Sequence, residues 1–414
     1  MCQAYISAIV NCETEGKGCK LKVVHLVTST SGGAAQAAIR LSESLVEAGY
    51  DSKIVSVQRR TKLDSNEAIK LQEVGKFSAL RSSTVTFLQR NLIQAGDDPV
   101  SPISLDLLDW QNPDIESADV LHLHAFYNLV SINSFLRKFP DKKKIVTLHD
   151  ERFYTGGCHY SHDCQRFVSG CQNCPQVQPM FRKLIEKQKR DLRNLTKEIS
   201  NVVFICPSSW ILKRAIDALS EIQETNFIQV YNPIPNADVS LNVDHLNSSE
   251  IRFGFVSQNL DNPIKNLPLL LSAFKELTNM KLGKYSLTLV GVSAKNYSTD
   301  HPRIIQTHAE NSTELGAALS AIDVLVVPSI DDNLPNVLGE ALMNGVGLIG
   351  SDVGGIPEVI DLFRQSLFQS GDKESLIHAM QSYRLTDRMK LQRMAEEVFG
   401  YQAIANKMKM IYSS

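Results

Sequence analysis

The sequence contains no apolar run that approaches the roughly 18 residues needed for a membrane-spanning helix. It also lacks an excess of charge of one sign, since 43 Lys and Arg stand against 45 Asp and Glu. This balance excludes a global positive field that would recruit nucleic acid, so we expect no nucleic-acid partner. Hydrophobic residues make up 43% of the chain, which is typical of an ordinary globular protein.

The first 19 residues lack the basic region and the apolar region of a secretory signal peptide. Their composition differs from the periodic pattern that begins at Lys20. We therefore expect residues 1–19 to form a disordered extension and the protein to be cytoplasmic. Eight cysteines in 414 residues are too few for a disulfide scaffold.

The length of 414 residues suits two domains better than one hydrophobic core. An apolar run at 20–30, a Gly-rich turn with a helical pattern, and a second apolar run at 51–57 predict a βαβ unit. Further strand patterns lie at 118–125, 143–149, 201–208, 251–258, 285–292, 322–329 and 347–352. Units of this kind build parallel, doubly wound sheets.

Two prolines after a strand pattern indicate a hinge between Asn232 and Asp238. We expect an N-terminal Rossmann-like domain over residues 20–232 and a C-terminal one over 239–395. Residues 396–414 are expected to form a final helix that can return to the N-terminal domain. The carboxyl ends of both sheets then face one central cleft, where such sheets bind ligands.

The most informative stretch, 331–360, places Asp332 and Glu340 eight positions apart. Pro335 fits the first turn of a helix between them, and the free N–H groups of a helix N-terminus favour an anion such as a diphosphate. Glu340 lies further along this helix and can accept hydrogen bonds from a ribose diol. Asp332 lies on the loop and can accept them from sugar hydroxyls. Spacing alone would be a weak motif.

These two acids and the later turn from Gly354 to Glu358 resemble the donor motif of the retaining GT-B glycosyltransferases of glycosyltransferase family 4. In that motif seven residues separate the two acids, and a Gly-Gly-x-x-Glu turn follows. The Asn-Leu-Pro-Asn segment from Asn333 to Asn336 is similar to that of a bacterial exopolysaccharide and colanic-acid-like subgroup. The resemblance extends over about residues 20–400.

The resemblance implies an α/β protein with the GT-B fold, in which two Rossmann-like domains face a central cleft. It implies a nucleotide-sugar donor in the C-terminal domain, with Asn333, Asn336 and Glu340 binding it and Asp332 acting on the sugar. It also implies retention of configuration and a saccharide acceptor, lipid-linked in cell-surface polysaccharide or lipopolysaccharide biosynthesis. No catalytic metal is expected, because no Asp-x-Asp element stands at a strand end.

Lys265 follows a strand pattern and precedes a helix, where a cation can neutralise a departing diphosphate. A surface lysine is the alternative, and the resemblance favours the catalytic role. The resembling enzymes usually carry an Arg six residues earlier, where this chain has Asn259, which we retain as a donor-site residue. Two further departures are Asp332 in place of Glu, which shortens the carboxylate's reach, and Gly347 in place of Pro.

On the N-terminal side of the cleft, Gly32 and Gly33 form the turn after the first strand, where the backbone can approach a ligand closely. A tight turn without a ligand is the alternative. His122 and His124 alternate along a strand and therefore point to one face. The resemblance implies that His124 lines the active site near the donor sugar, whereas His122 is expected to be structural. His149 ends a neighbouring strand facing the same cleft.

Four cysteines crowd into an insertion at 155–179, at Cys158, Cys164, Cys171 and Cys174. Cysteines spaced in this way in a cytoplasmic protein indicate metal ligands more often than disulfides. Four thiolates would close a tetrahedral structural zinc site with no open position for catalysis. The segment has few large apolar groups, so we expect the metal to supply its core. Unliganded thiols or a redox pair are the alternatives.

The stretch 181–200 carries seven Lys or Arg against three acids, with apolar residues at roughly helical spacing. A basic amphipathic helix could rest on an anionic membrane surface, which would suit a lipid-linked acceptor and a peripheral position at the inner face of the membrane. The alternative is a helix docked on the core with a solvated basic face.

Of three other classes of function, the sequence argues against the first and leaves two open. Gly345, Gly347 and Gly350 match the dinucleotide fingerprint of an oxidoreductase, but they follow a helix and enter a strand, the reverse of the required order. A sugar-nucleotide epimerase or hydrolase of the same fold is the second alternative. A non-catalytic partner subunit is the third, because of Asp332 and Asn259.

Overall fold

The computed structural model describes residues 20–58, 69–72, 76–198, 201–237, 250–281, 283–299 and 301–413. The expected extension 1–19 and the stretch 238–249 after the proposed hinge lie outside these ranges. No helix in the described part of the chain is long and apolar enough to cross a bilayer.

Seven parallel strands form the N-terminal sheet, in the order β3-β2-β1-β4-β5-β6-β7. The strands are β1 (Lys22–Ser29), β2 (Asp51–Gln58), β3 (Ile69–Leu71), β4 (Val120–Ala125), β5 (Lys143–Thr147), β6 (Val202–Cys206) and β7 (Phe227–Gln229). The helices of this domain are α1 (Gly33–Glu47), α2 (Lys76–Leu88), α3 (Pro113–Ser117), α4 (Ile132–Arg137), α5 (Arg166–Ser169), α6 (Arg182–Lys197) and α7 (Ser209–Ala218). The strand order reverses between β1 and β4, which places a crevice at their carboxyl ends.

Six parallel strands form the second sheet, in the order β10-β9-β8-β11-β12-β13. The strands are β8 (Glu250–Asn259), β9 (Lys284–Val292), β10 (Ile304–Thr307), β11 (Val324–Val327), β12 (Gly347–Ser351) and β13 (Ser366–Phe368). The helices are α8 (Leu267–Asn279), α9 (Ser312–Ser320), α10 (Asn336–Met343), α11 (Ile356–Leu362), α12 (Lys373–Ser382), α13 (Arg388–Phe399) and α14 (Tyr401–Ser413). The predicted α/β class with two parallel sheets is confirmed.

The first βαβ unit shows why these segments fold as they do. β1 is an apolar, β-branched run that is buried along most of its length, as a parallel strand covered on both faces must be. Gly32 then adopts a φ of 94°, a conformation open to glycine at no steric cost, and α1 begins at the next residue. This turn brings the N-terminus of α1 to the cleft.

The last helix, α14, packs on the N-terminal domain although it follows the C-terminal one. Its residues Ile404, Met408 and Ile411 share a buried cluster with Leu41 and Leu45 of α1. The chain end therefore contributes to the N-terminal core, and it contacts the strand that carries the histidines described below.

Candidate active site

Asp332 and Lys265 form an ion pair across the loops that precede two helices of the C-terminal domain. Lys265 ends a short 3₁₀ turn immediately before α8. Its ammonium group donates to the carboxylate of Asp332, which also accepts a hydrogen bond from Ser329 Oγ at 3.3 Å. The two residues lie 67 positions apart in the sequence. The fold thus brings together two of the predicted catalytic side chains.

Glu340, the second acid of the motif, is paired with Arg40 of the N-terminal domain. The distance between Arg40 Nη2 and Glu340 Oε1 is 2.6 Å, and the side chains are only 6% and 14% exposed. Arg40 lies on α1, two turns after the glycine turn. Sequence reasoning missed Arg40, because it lies inside a helical pattern and its partner is 300 positions away. Both motif acids are therefore ion-paired.

The glycine turn meets the N-terminus of α10. Asn336, the first residue of α10, donates from Nδ2 to the carbonyl oxygen of Gly33 at 3.0 Å. Its Oδ1 accepts a hydrogen bond from Asn232 Nδ2 at 2.8 Å. The N-termini of α1 and α10 therefore lie side by side, so two sets of helix N–H groups and two positive dipole ends face the same region.

Asn333 joins the two domains. Its Oδ1 accepts a hydrogen bond from Ser208 Oγ at 2.6 Å, and its Nδ2 donates to the carbonyl oxygens of Leu148 and His149 at 3.0 Å each. All of these partners belong to the N-terminal domain. The structure therefore gives the Asn333 side chain an interdomain contact, which the sequence did not predict.

Two further sets of hydrogen bonds join the N-terminal domain to the C-terminal domain. The backbone N–H of His162, in the Cys-rich insertion, donates to Asp331 Oδ2 at 2.9 Å. Burial raises the pKa of Asp331 to about 6. Glu358 of the Gly-Gly-x-x-Glu turn accepts hydrogen bonds from the Ser209 N–H at 2.7 Å and from Gln229 Nε2 at 3.0 Å. The insertion and the start of α7 therefore both contact the donor-side loops.

Asn259 lies at the exposed end of β8 and stabilises its own turn. Its Oδ1 accepts a hydrogen bond from the backbone N–H of Asp261 at 3.0 Å. Lys265 follows in the same loop region, and its ammonium group is the cation that contacts Asp332.

His124 is the middle member of a hydrogen-bonded row of histidines. His25 Nδ1 lies 2.9 Å from His124 Nε2, and His124 Nδ1 lies 3.0 Å from His149 Nε2. His25 is on β1, His124 at the end of β4, and His149 just after β5. His149 is half-buried and is the least buried member of the row. The sequence did not single out His25.

His122 lies next to this row and also contacts α14. Its ring stacks on that of His124 with centroids 4.1 Å apart. Its nitrogens lie 2.8 Å from Thr147 Oγ1 and 3.0 Å from Tyr412 Oη. In the described part of the chain, three possible metal ligands have atoms within 4.8 Å of one another, namely His25, His122 and His124. Because both nitrogens of His122 and of His124 have protein partners, we assign no metal there.

Burial keeps these histidines neutral. It lowers the pKa of His25 to about 3 and that of His149 to about 4. A depressed histidine pKa means that stability is present above about pH 6.5 and is lost as the pH falls toward the folded-state pKa, because the unfolded chain binds protons that the folded chain excludes. Each group contributes at most roughly 1.4 kcal/mol per pH unit in that window.

We therefore expect the free energy of unfolding to fall between pH 7 and pH 5, and to fall less steeply in His25→Leu. Denaturant unfolding at several pH values measures this slope independently of the variant's absolute stability. His308→Leu is the control, since His308 is largely exposed. Equal slopes in the wild type and His25→Leu would show that folding does not lower the pKa of His25.

The Cys-rich insertion is packed into the N-terminal core. Cys158, Cys164, Cys171 and Cys174 line one cavity, and Phe167 packs beside them. Burial raises the pKa of the Cys171 thiol to about 11. Phe167 and Val177 of this segment are buried in the N-terminal core, and the expectation that a metal orders the segment stays a prediction. The four sulfurs do not form a group of possible ligand atoms within 4.8 Å of one another.

The basic helix α6 is docked on the core through its apolar face. Ile185, Leu192 and Leu195 are buried in the main N-terminal cluster. Lys189 is buried as well, and its ammonium donates to the carbonyl oxygens of Tyr154 and Ala218 at 2.8 and 2.7 Å. The alternative of a docked helix therefore describes α6, and its exposed face is basic rather than apolar.

Two Rossmann-like domains, each built on a parallel sheet with flanking helices, define the class of GT-B folds. Residues 250–384 match the family model described as Glycosyl transferases group 1. The glycosyl transferase WcaC of Escherichia coli strain K12, named for colanic acid biosynthesis, is 26% identical over 264 residues. This match covers 58% of the chain and 62% of WcaC, which is less than two thirds of the relative. The group 1 match and the name of this relative support a transferase enzyme.

Solved structures resemble nearly the whole chain. Sucrose-phosphate synthase from Thermosynechococcus elongatus has a TM-score of 0.62 at 15% identity, covering 95% of this chain and 98% of that one. Anabaena HepE in complex with UDP-glucose has a TM-score of 0.59 at 13% identity, covering 95% and 99%. At these identities the likeness concerns the fold alone, and it confirms the predicted GT-B fold.

Proposed function

We propose that this protein is a glycosyltransferase that moves a sugar from a nucleoside diphosphate donor to a saccharide acceptor. The observation that carries the proposal is the placement of the motif acids, with Asp332 on the loop before α10 and paired with Lys265, and Glu340 on α10 itself. These residues lie within the segment that matches the group 1 transferases. HepE, a structural neighbour, has been solved in complex with UDP-glucose.

Each residue of the donor side has a separate part in the proposal. Glu340 accepts hydrogen bonds from the ribose diol, and Asp332 accepts them from hydroxyls of the transferred sugar. Lys265 and the free N–H groups of α10 stabilise the diphosphate as the bond to the sugar breaks and negative charge develops on it. The transition state is oxocarbenium-like, and the anomeric configuration is retained.

The N-terminal domain completes the site. His124 lies near the donor sugar, and its ring is fixed because both nitrogens have imidazole partners. The turn of Gly32 and Gly33 allows the backbone and the N-terminus of α1 to approach the donor. Catalysis in this scheme needs no cofactor.

The acceptor in this proposal is a saccharide, lipid-linked and used in cell-surface polysaccharide or lipopolysaccharide biosynthesis. The support is the match to WcaC, whose name places it in colanic acid biosynthesis. We place the enzyme in the cytoplasm, peripherally at the inner face of the membrane. The exposed basic residues of α6, including Lys183, Lys187 and Arg190, would face anionic lipid there.

Donor binding is the experiment that tests this assignment. UDP, GDP, ADP and dTDP, each alone and as its glucose conjugate, are added to the purified protein in a thermal-shift titration. We expect one base to raise the melting temperature in a concentration-dependent way, because a ligand that binds only the folded state stabilises it. A flat response to every nucleotide would contradict a donor site in the C-terminal domain.

A structural zinc on the insertion is the second part of the proposal. Four thiols face one cavity, and thiolates are ligands that zinc prefers. Zinc bound there would hold Cys158, Cys164, Cys171 and Cys174 as deprotonated thiolates and tie the insertion together. The contact of His162 with Asp331 places this insertion against the donor-side loop.

Elemental analysis of protein purified without chelator is expected to find about one zinc per chain. Cys171→Ser should release it and lower acceptor transfer more than nucleotide binding, because the insertion belongs to the N-terminal domain. Cys206→Ser is the control, since Cys206 lies on β6 outside the insertion. Metal-free protein whose four insertion thiols all react in the native state would eliminate the site.

A further inference from the structure

Arg40 is a buried arginine to which the proposed function gives no role. It lies on α1 and its side chain is only 6% exposed. One nitrogen, Nη2, is paired with Glu340. The other two, Nε and Nη1, are buried without a hydrogen-bond partner among the described residues.

A buried arginine with unpaired N–H groups lowers the stability of the folded protein. A guanidinium group has five N–H donors in a fixed planar arrangement, and it stays charged in proteins. Buried donors without partners lose their hydrogen bonds to water and gain nothing in return. A ligand that brings several anionic oxygens would satisfy them, and Arg–phosphate pairs are frequently bidentate.

The location of Arg40 fits such a ligand. Its helix begins at Gly33, whose carbonyl oxygen contacts Asn336 at the start of α10. Long side chains on a helix lean toward its N-terminus, and the Arg40 guanidinium group contacts Glu340, four residues after the start of α10. The helix ends already favour an anion there.

The two basic side chains near the donor motif are each paired with an acid. Asn259 stands where the resembling enzymes carry an arginine, and its side chain is engaged in a local turn. Lys265 is paired with Asp332, and Arg40 with Glu340. Each acid of the motif thus has one basic partner, from the C-terminal domain in one case and the N-terminal domain in the other.

We propose that Arg40 is a binding residue for the diphosphate of the donor, supplied by the N-terminal domain in place of the missing arginine. Donor binding then exchanges both ion pairs: Arg40 and Lys265 turn to the diphosphate, while Glu340 and Asp332 accept hydrogen bonds from ribose and sugar hydroxyls. Every charge keeps a partner, so the exchange avoids leaving a buried charge unpaired. This inference rests on the proposed function and assigns a nucleoside diphosphate to the Arg40 side chain.

The test separates the phosphate end of the ligand from the ribose end. Calorimetry measures the affinity of UDP, GDP, ADP and dTDP, each against its own nucleoside, for the wild type and Arg40→Gln. We expect Arg40→Gln to lower the affinity for the nucleoside diphosphate by roughly 10- to 150-fold, because hydrogen bonds from a charged group are lost. The affinity for the nucleoside should stay the same or rise, because Glu340 is released. Arg81→Gln, on the exposed face of α2 in the same domain, is the control.

Arg40→Lys keeps the charge but loses the planar group, so we expect a loss of diphosphate affinity smaller than that in Arg40→Gln. Circular dichroism verifies the fold of each variant, and Arg40→Lys carries the test if Arg40→Gln does not fold. Equal weakening of diphosphate and nucleoside, or no weakening of either, would overturn the inference while leaving the proposed function intact. A wild type that binds none of the four diphosphates would instead refute the proposed function, and the inference with it.

Discussion

Replacement of Lys265 by alanine is expected to lower turnover by roughly 100- to 1,000-fold, the usual cost of removing a group that stabilises charge developing in a transition state. The Lys265 ammonium already lies beside the Asp332 carboxylate, at the N-terminal side of α10, where a diphosphate leaving group would be held. Negative charge grows on that diphosphate as the bond to the sugar breaks. The effect should therefore fall on kcat more than on binding.

Steady-state kinetics with saturating donor measures this effect. Lys284→Ala is the matched control, because Lys284 is an exposed lysine of the same domain at the start of β9. Thermal unfolding of both variants separates catalysis from stability. Turnover of Lys265→Ala at the wild-type rate would mean that another cation neutralises the leaving group.

Replacement of Glu340 by alanine is expected to weaken donor binding by roughly 10- to 150-fold, because the ribose hydroxyls lose a charged hydrogen-bond acceptor in a buried place. The variant also removes the carboxylate that pairs with Arg40, which should lower the stability of the contact between the domains. Glu340→Gln keeps an acceptor oxygen and should lose less affinity than Glu340→Ala.

Calorimetry with the nucleotide that stabilises the wild type, and with its nucleoside, distinguishes these effects. Both ligands should bind Glu340→Ala more weakly, because both contain the ribose. Glu397→Ala, on the exposed side of α13, is the control. Unchanged affinity for both ligands would refute the placement of the ribose at Glu340.

Much of the fold could be predicted from the sequence, because buried parallel strands are apolar runs bounded by turn residues. The run at 20–30 contains β1, and the patterns at 118–125 and 347–352 contain β4 and β12. The position of Pro335 predicted the start of α10 to within one residue. These signals are local, so a single sequence displays them.

The partners of the site residues could not be predicted in the same way. Arg40 and Glu340 meet only because α1 and α10 lie side by side across the domain boundary. His25 became part of the site through the pairing of β1 with β4. Asn333 resembled a ligand-binding residue in the motif, whereas its side chain contacts the N-terminal domain. Each of these contacts depends on the packing of distant segments.

The packing of the insertion could not be predicted for a different reason. Its sequence has few large apolar residues, which suggested that it could not order itself without a metal. In the structure Phe167 and Val177 are buried in the N-terminal core, and Gly156 lies directly against Ile185 of α6. These contacts join the insertion to the domain that surrounds it, and composition alone does not reveal them; the metal stays a prediction.

Transfer itself is the most direct test of the central claim. The purified protein is incubated with radiolabelled sugar nucleotides, one at a time, and with a lipid extract that contains saccharide acceptors. The proposed function predicts that one donor loses its label to an acceptor, with release of the nucleoside diphosphate, and that Lys265→Ala largely abolishes this transfer. Label that stays on the nucleotide as an epimer, label released as free sugar, or no reaction with any donor that binds would contradict it.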